Sequence, residues 1–335
     1  GNPVSVSFDT STNQLSRVIT EFATDVTLAD SAGNLVIGDN GSDFGSGDTA
    51  SSITGNLIIN YSGGGTLHDG GTSSTTATAA IVNVAGTTTV VANGETVNFD
   101  YSGNQWGTLS IDTSGTGAQD AGTIDVNSIA LVTGALDASS ESGTAAAIDI
   151  NVATSWQATG AMDGASMTVD GNSGGAETFI FSAGSSWSGV GNLTVSGNNG
   201  NDIYQLYEST TAQLEGGNNN DEYYILAANI SVPNINGEGG DDTVFGLSDT
   251  TVENTWATTS NEAGTITNNG GTNTIAFSDI ENLRGGQTVE DPDNAGTFIG
   301  GRDIFTISNA YTGSLDAQSG NDDITLNAQW TGAVS

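Results

Sequence analysis

The chain has 335 residues, of which 48 are glycine, 3 are proline and none is cysteine, and its formal net charge is −36 at pH 7. Much glycine without much proline excludes collagen and linker compositions, and the missing cysteines exclude disulfides as the stabiliser. With only 3 basic residues against 39 acidic ones, binding along nucleic-acid phosphates is excluded and anionic lipid surfaces are disfavoured.

Residues 1–52 form the least regular part of the sequence. Short alternating segments predict strands there, and residues 35–48 hold a turn cluster rich in glycine and aspartate. This cluster resembles a calcium loop weakly, and a plain acidic loop is the favoured interpretation. Because the open end of a β-solenoid exposes strand edges, we expect this irregular β region to act as an N-terminal cap.

Residues 53–160 predict a β-helix with long turns. Segments such as AAIVNVAG, GTLSIDTSG and AAIDINVATSW alternate apolar and polar residues, and Gly, Ser or Asn bounds each of them. No apolar spacing of 3.6 residues persists, so helices are not expected. The residues expected to face inward are Ile58, Val82, Val84, Val97, Phe99, Leu109, Ile111, Ile124, Val126, Ile148 and Ile150.

The sequence between positions 161 and 335 is repetitive, with a period of about 20 residues, which is typical of solenoid repeats. Each unit has a short alternating strand, a Gly/Asn turn, an aspartate and a second apolar segment. The aspartates Asp202, Asp221 and Asp241 close successive turns at nearly equal intervals. Asp303 and Asp322 close two further turns at the same interval as the first pair. One unit cannot bury its apolar face alone, so the units are predicted to stack as a solenoid.

Two segments interrupt this period. Residues 247–272 predict a side hairpin or an irregular coil around Trp256. Residues 287–299 separate two GG pairs and predict an inserted loop, and insertions in solenoids map to loops on one face. The residues two positions after a turn aspartate are expected to stack as an inward column of Tyr204, Tyr223, Val244 and Phe305.

The turns resemble the calcium-binding, glycine-rich nonapeptide of RTX proteins. The match lies in NNGNDIY, residues 198–204, and in GNNNDEY, residues 217–223. The segment NTIAFSDIENLRGG, residues 273–286, resembles a phrase found between solenoid turns of very large bacterial RTX-like surface proteins and adhesins. The resemblance runs from about residue 170 onward. RTX repeats carry the motif every nine residues, whereas here it comes once per unit of about 20.

The resemblance implies a solenoid stabilised by calcium at the turns. Calcium takes six to eight oxygen ligands, and glycine-rich turns expose carbonyl oxygens beside the aspartates. Aspartates stacked about 4.8 Å apart repel, so a cation between them or an outward splay is required. Alternatively, Asn, Asp and Gly simply suit tight turns, and the asparagines bond along the stack without metal. The candidate calcium ligands are Asp202, Asp221, Asp241, Asp242, Asp303, Asp322, Asp323, Asn199, Asn201 and Asn220.

No catalytic constellation stands out, and the chain is predicted not to be an enzyme. Lyase chemistry on uronates needs a base and a cation or basic side chain, whereas this chain has no lysine. Glycoside hydrolysis needs two carboxylates at a set distance, and no pair is distinguished. The alternative prediction is a carbohydrate-active β-helix, either a glycan-binding module or a hydrolase or lyase. Its sugar platforms would be Trp106, Trp156, Trp187, Trp256 and Trp330.

The sequence therefore predicts an all-β protein, a right-handed parallel β-helix with about 20 residues per coil in its C-terminal half and longer coils before it. The resemblance implies an extracellular structural protein of a bacterial surface, adhesive or filament assembly. Its expected partners are itself, end to end, or neighbouring repeats of a longer chain, with surface glycans as the partner under the alternative. No apolar run approaches the roughly 20 residues of a membrane span.

Overall fold

The computed structural model describes most of the chain from residue 82 onward and short strands before it. The described residues are 14–15, 26–30, 35–37, 51–53, 56–61, 66–68, 82–92, 94–99, 102–171, 174–249, 251–268, 271–286, 289–290, 298–299, 301–318 and 320–335. Within these ranges the regular elements are all strands, which confirms the all-β prediction. None of the described residues belongs to a helix of the length and apolarity needed to cross a membrane.

The strands are short, and they are numbered in chain order. Their bounds are β1 Gln14–Leu15, β2 Val26–Asp30, β3 Leu35–Ile37, β4 Ser51–Ile53, β5 Leu57–Tyr61, β6 Thr66–His68, β7 Val82–Val84, β8 Thr87–Val91, β9 Thr96–Phe99, β10 Thr108–Asp112, β11 Ile124–Asp137, β12 Ala147–Ala158, β13 Ala161–Gly164, β14 Ser166–Asp170, β15 Thr178–Phe181, β16 Ser186–Val190, β17 Leu193–Ser196, β18 Ile203–Leu206, β19 Gln213–Asn218, β20 Glu222–Ile225, β21 Val232–Gly239, β22 Thr243–Phe245, β23 Glu253–Ser260, β24 Ala263–Asn268, β25 Ile275–Ser278, β26 Asn282–Arg284, β27 Val289–Glu290, β28 Phe298–Ile299, β29 Arg302–Ile307, β30 Tyr311–Thr312, β31 Ser314–Asp316, β32 Asp323–Leu326 and β33 Trp330–Thr331.

The chain divides into two compact units. The first unit comprises Gly1–Asp170 and Ser186–Asn192, and the second comprises Gly171–Ser185 and Leu193–Ser335. Most of the pairing between strands is parallel, as the sequence predicts. Parallel neighbours need a crossover connection rather than a hairpin, which is compatible with repeats that stack along the chain.

In the first unit, parallel pairing joins β5 to β8, β8 to β10, β10 to β11, β11 to β12 and β12 to β14. Strands such as β8 and β10 alternate buried and half-buried residues, because successive side chains of a strand point to opposite faces. Nine of the predicted inward residues are buried, namely Val84, Val97, Phe99, Leu109, Ile111, Ile124, Val126, Ile148 and Ile150.

One predicted inward residue of the first unit is wrong. Ile58 is half-buried, whereas its neighbours Leu57 and Ile59 are fully buried. A shift of one residue exchanges the two faces of a strand, and the run LII offers no polar residue to set the alternation. The side chain of Val82 lies outside the described residues.

In the second unit, one continuous parallel stack runs from β15 through β18, β20, β22 and β26 to β31. It aligns Tyr204 with Tyr223 and Val244, and all three side chains are fully buried, which confirms that part of the predicted inward column. Phe305 is buried as well, but it pairs with Trp256 in a different stack, so its predicted place in the column is wrong.

An antiparallel hairpin explains why Phe305 lies elsewhere. Strands β23 and β24 pair antiparallel, and β24 pairs antiparallel with β25. This hairpin lies inside segment 247–272, where the sequence predicts a break in the period. Strand β23 also pairs in parallel with β29, so β29 adds to the hairpin and not to β20 or β22. Within segment 287–299, the two-residue strands β27 and β28 pair antiparallel.

Candidate functional site: a column of buried carboxyl groups

Five acidic residues of the second unit align across consecutive parallel strands, each at the position just before its strand begins. Four of them are at most 1% exposed and the last is half-buried. Their alignment follows from the registers of β15 with β18, β18 with β20, β20 with β22 and β22 with β26. We call this set the carboxyl column, and its members are Glu177, Asp202, Asp221, Asp242 and Glu281.

Each carboxyl group of the column after the first accepts a hydrogen bond from the backbone of the preceding member. The N–H of Glu177 donates to Oδ1 of Asp202 at 2.6 Å, and the N–H of Asp202 donates to Oδ1 of Asp221 at 2.7 Å. The N–H of Asp221 donates to Oδ1 of Asp242 at 2.8 Å, and the N–H of Asp242 donates to Oε2 of Glu281 at 2.8 Å. These bonds tie each repeat to the next at the point where its strand starts.

The second oxygen of each aspartate lies against a glycine of its own repeat, five residues earlier in the sequence. A Cβ atom built on Gly216 would lie 2.2 Å from Oδ2 of Asp221. Corresponding distances are 2.1 Å from Gly197 to Asp202 and 2.4 Å from Gly237 to Asp242. Any side chain at these glycines would occupy the space of the carboxyl group. Glycine therefore makes the inward orientation of the aspartates possible.

Burial sets the electrostatics of the column. Burial raises the pKa of Asp221 from an ordinary 3.8 to about 8, opposed by the bond from the Asp202 N–H and reinforced by the charges of Asp242 and Asp202. Burial likewise raises the pKa of Asp242 to about 7, and it raises the pKa of Asp202. A raised pKa means that the neutral acid is favoured over the carboxylate.

Aromatic side chains form one wall of the column. The rings of Tyr204 and Tyr223 stack with centroids 4.7 Å apart, and Phe179 stacks on Tyr204 at 4.9 Å. The hydroxyl of Tyr204 donates to the carbonyl of Glu215 at 2.6 Å, and that of Tyr223 donates to the carbonyl of Asn236 at 3.1 Å. Burial raises the pKa of both tyrosines well above 10.0, so they remain neutral.

Asp303, another predicted turn aspartate, has a different environment at the base of the hairpin. Its Oδ1 accepts hydrogen bonds at 3.0 Å from Nδ2 of Asn254 and from Nε1 of Trp256. Its Oδ2 accepts a bond at 3.2 Å from the N–H of Gly286. Burial raises the pKa of Asp303 to about 6. The three donors stabilise the carboxylate, so they offset part of the rise that burial causes. Asp303 thus anchors the hairpin to β29.

The remaining predicted ligands lie on the outside of the turns. Asp241 was expected to close its turn, but Asp242 takes the aligned position and Asp241 is exposed, so that assignment is wrong. Amide oxygens link neighbouring turns: Asn201 accepts from the N–H of Asn220 at 3.3 Å, and Asn220 accepts from the N–H of Asp241 at 3.1 Å. Asn199 and Asp322 are half-buried and Asp323 is exposed. Asp322 differs from the others, because its Oδ1 accepts a hydrogen bond at 3.0 Å from the N–H of Asp303.

Calcium coordination does not fit the column. One oxygen of each inward aspartate already accepts a backbone N–H, and the other lies against a glycine. Calcium needs six to eight oxygens around it at about 2.3–2.6 Å, and one remaining carboxyl oxygen per aspartate falls short of that number. Across the described ranges, no group of three or more His, Cys, Asp or Glu side chains is arranged to hold a metal ion.

The tryptophans are not placed as sugar platforms. Trp106, Trp156, Trp187 and Trp256 are at most 3% exposed. Trp330 is half-buried and its ring stacks on that of Tyr311, with centroids 4.9 Å apart. In the described structure, the rings therefore fill the interior of the repeats.

Sequence reasoning missed two members of the column and its glycines. Glu281 follows no Gly/Asn turn, so no local pattern marks it. Glu177 ends the turn of an imperfect copy of the repeat, DGNSGGAETFIF at residues 170–181, where glutamate stands in place of the aspartate. The glycines do carry a signal, because Gly197, Gly216 and Gly237 each precede an aligned aspartate by five residues, in GNNGND, GGNNND and GEGGDD. That spacing also selects Asp242 over Asp241.

Fold and site together define a parallel all-β protein whose neighbouring repeats are joined by inward carboxyl groups. No family model, no curated protein and no solved structure matches the chain.

Proposed function

We propose that the chain is an extracellular structural protein, a rigid, calcium-stabilised β-solenoid of a bacterial surface, adhesive or filament assembly. In this proposal the coils are right-handed, as parallel crossovers almost always are. The single observation that carries the proposal is the carboxyl column. Its backbone bonds link each repeat of the second unit to the next, so its most buried polar groups serve stacking and not chemistry.

The scarcity of basic side chains supports a structural role over chemistry on anionic substrates. The chain has 3 basic residues, and the two in the described ranges are both engaged in ion pairs. Arg284 pairs with Asp316 at 3.4 Å, and Arg302 pairs with Glu253 at 2.7 Å. No described basic side chain is therefore left to neutralise an anionic substrate, which disfavours uronate chemistry.

The apolar edge of β32 is the surface on which the proposed partner repeat would pack. Ile324 pairs with the fully buried Phe305, and Leu326 pairs with the fully buried Ile307. Yet Ile324 is 38% exposed and Leu326 is 48% exposed. Their strand, β32, pairs in parallel with β29, and no register joins it to another described strand. Another repeat, from a second copy or from a longer chain, would cover these side chains and the open strand edge.

The calcium part of the proposal rests on the RTX resemblance. It assigns no ligand set among the described side chains, and it excludes the carboxyl column for the reasons given above. A cation that binds the folded state alone would raise the melting temperature by mass action. It would also reduce the repulsion between copies that each carry a net charge of −36.

Light scattering coupled to size exclusion, with negative-stain imaging, tests the assembly. In high salt with millimolar calcium, we expect linear particles that lengthen with protein concentration, because head-to-tail contacts do not close. The matched variant Ile324→Asp with Leu326→Asp should remain monomeric while keeping its far-ultraviolet circular dichroism. A wild-type chain that stays monomeric at high concentration under these conditions would contradict end-to-end assembly.

A further inference from the structure

We propose that the second unit binds a neutral oligosaccharide in a polar cleft on the outer side of its turns. The cleft has a volume of about 460 Å³, which lies in the range of ligand-binding clefts. Its polar lining comes from Asn201, Asn220, Glu222, Asp241, Thr243 and Asn282. This site goes beyond the proposed structural role, because it gives the stacked repeats a ligand of their own.

The cleft is elongated, because it crosses four consecutive parallel strands, β18, β20, β22 and β26. Parallel neighbours lie about 4.8 Å apart, so three such spacings make the cleft about 14 Å long. Its floor is formed by the first residue of each strand, and the registers align these residues as Ile203, Glu222, Thr243 and Asn282. Such a shape suits a short extended chain of similar units better than a single compact molecule.

Two amide groups of the cleft are oriented by the turns so that their nitrogens remain for a ligand. Oδ1 of Asn201 accepts the N–H of Asn220 at 3.3 Å, and Oδ1 of Asn220 accepts the N–H of Asp241 at 3.1 Å. Since only the oxygen of an amide can accept a backbone N–H, these bonds fix which end of each side chain is the donor. Neither Nδ2 atom donates a hydrogen bond within the described structure. The cleft therefore offers two preorganised donors, one repeat apart.

The acceptors of the cleft lie on the strands and at one turn. Oε2 of Glu222 accepts a hydrogen bond at 2.6 Å from the hydroxyl of Tyr224, which orients the carboxylate and leaves Oε1 for a ligand. Asp241 adds an exposed carboxylate, and Thr243 adds a half-buried hydroxyl. Sugar hydroxyls both donate and accept, so they match a lining that mixes amide donors with carboxylate and hydroxyl acceptors. The half-buried Ile203 supplies an apolar surface for the C–H face of a sugar ring.

The charge of the lining decides between ligand classes. None of the described residues that line the cleft is basic, and Glu222 and Asp241 repel anions, so phosphate and uronate ligands are disfavoured. A metal ion is disfavoured as well, because the free amide nitrogens are donors and not ligands. Moreover, no set of three or more His, Cys, Asp or Glu side chains in the described ranges is placed to hold a metal. A neutral, hydroxyl-rich ligand is the class that fits.

Isothermal titration calorimetry of the full chain in EDTA tests the proposal, with linear hexasaccharides of glucose, N-acetylglucosamine and mannose as probes. We expect at least one of them to bind, and a hexasaccharide of galacturonate not to bind. The double variant Asn201→Asp with Asn220→Asp keeps both oxygens that accept turn N–H groups but loses both free donors, so it should weaken binding about tenfold or more. Asn261→Asp is the matched control, because Oδ1 of Asn261 accepts the N–H of Thr312 at 2.9 Å in the same way, outside the cleft. Its binding should equal that of the wild type.

Calcium titrated into the same proteins separates a sugar site from a cation site. The double variant adds two carboxylates, which would tighten a cation site and weaken a sugar site, so the two ligands predict opposite signs. Thr243→Val removes one hydroxyl of the cleft while suiting a strand, and it should weaken sugar binding about threefold even if the double variant does not fold. The proposal is overturned if no neutral probe binds the wild type, or if Thr243→Val and every folded cleft variant bind like the wild type. It is equally overturned if the double variant binds calcium more tightly and the sugar no less tightly.

Discussion

Replacing Gly216 with alanine tests the packing of the carboxyl column directly. The added methyl group would lie 2.2 Å from Oδ2 of Asp221 and 2.6 Å from the hydroxyl oxygen of Tyr223. Both atoms belong to fully buried side chains, so neither can turn out to solvent. Overpacking of this kind costs about 1–3 kcal/mol. Displacing the carboxyl group also weakens its bond from the Asp202 N–H, which adds about 1–2 kcal/mol.

We therefore expect Gly216→Ala to lower the free energy of unfolding of the second unit by about 2–5 kcal/mol. Urea denaturation followed by circular dichroism gives the total effect, and hydrogen exchange of peptides covering 202–225 localises it. Gly174→Ala is the matched control, since a Cβ there meets nothing within 4 Å. It should change stability by less than about 1 kcal/mol. Equal behaviour of the two variants would refute the inward carboxyl packing.

Two further predictions concern the aromatic wall and the metal. Tyr223→Ala should lower the free energy of unfolding by about 3–5 kcal/mol, because it removes a fully buried ring stacked at 4.7 Å on Tyr204. Tyr223→Phe keeps the ring and should lower it by only about 1 kcal/mol. Urea titrations that rank the two variants otherwise would contradict the stack. EDTA should lower the melting temperature and millimolar calcium restore it, equally in the wild type and in Asp221→Asn; no response in either protein would contradict calcium stabilisation.

The strands were the predictable part of the fold. Alternation of apolar and polar residues marks the inward face wherever both kinds are present, as at Leu109 and Ile111, which are buried. It fails at Ile58, where three apolar residues in succession leave the face undetermined. The sequence also did not predict which strand β29 pairs with. That choice depends on the hairpin β23–β24, whose pairing is a tertiary contact and not a local propensity.

The candidate site was predictable in its residue types and not in its orientation. The regular repeat of turn aspartates identified Asp202 and Asp221, but the doublet of Asp241 and Asp242 allows either residue to align. An aspartate is expected to face solvent because burying a carboxylate is costly. The reversal requires a glycine that leaves room and a backbone N–H that lacks another acceptor. Both conditions arise only when neighbouring repeats are stacked.

A crystal structure of the chain grown at neutral pH with calcium tests the central claim most directly. The account predicts that Asp202, Asp221 and Asp242 point inward, each accepting the N–H of the preceding repeat, with no ion between them. Aspartates that point outward to shared calcium ions, or an ion bound between inward aspartates, would contradict it.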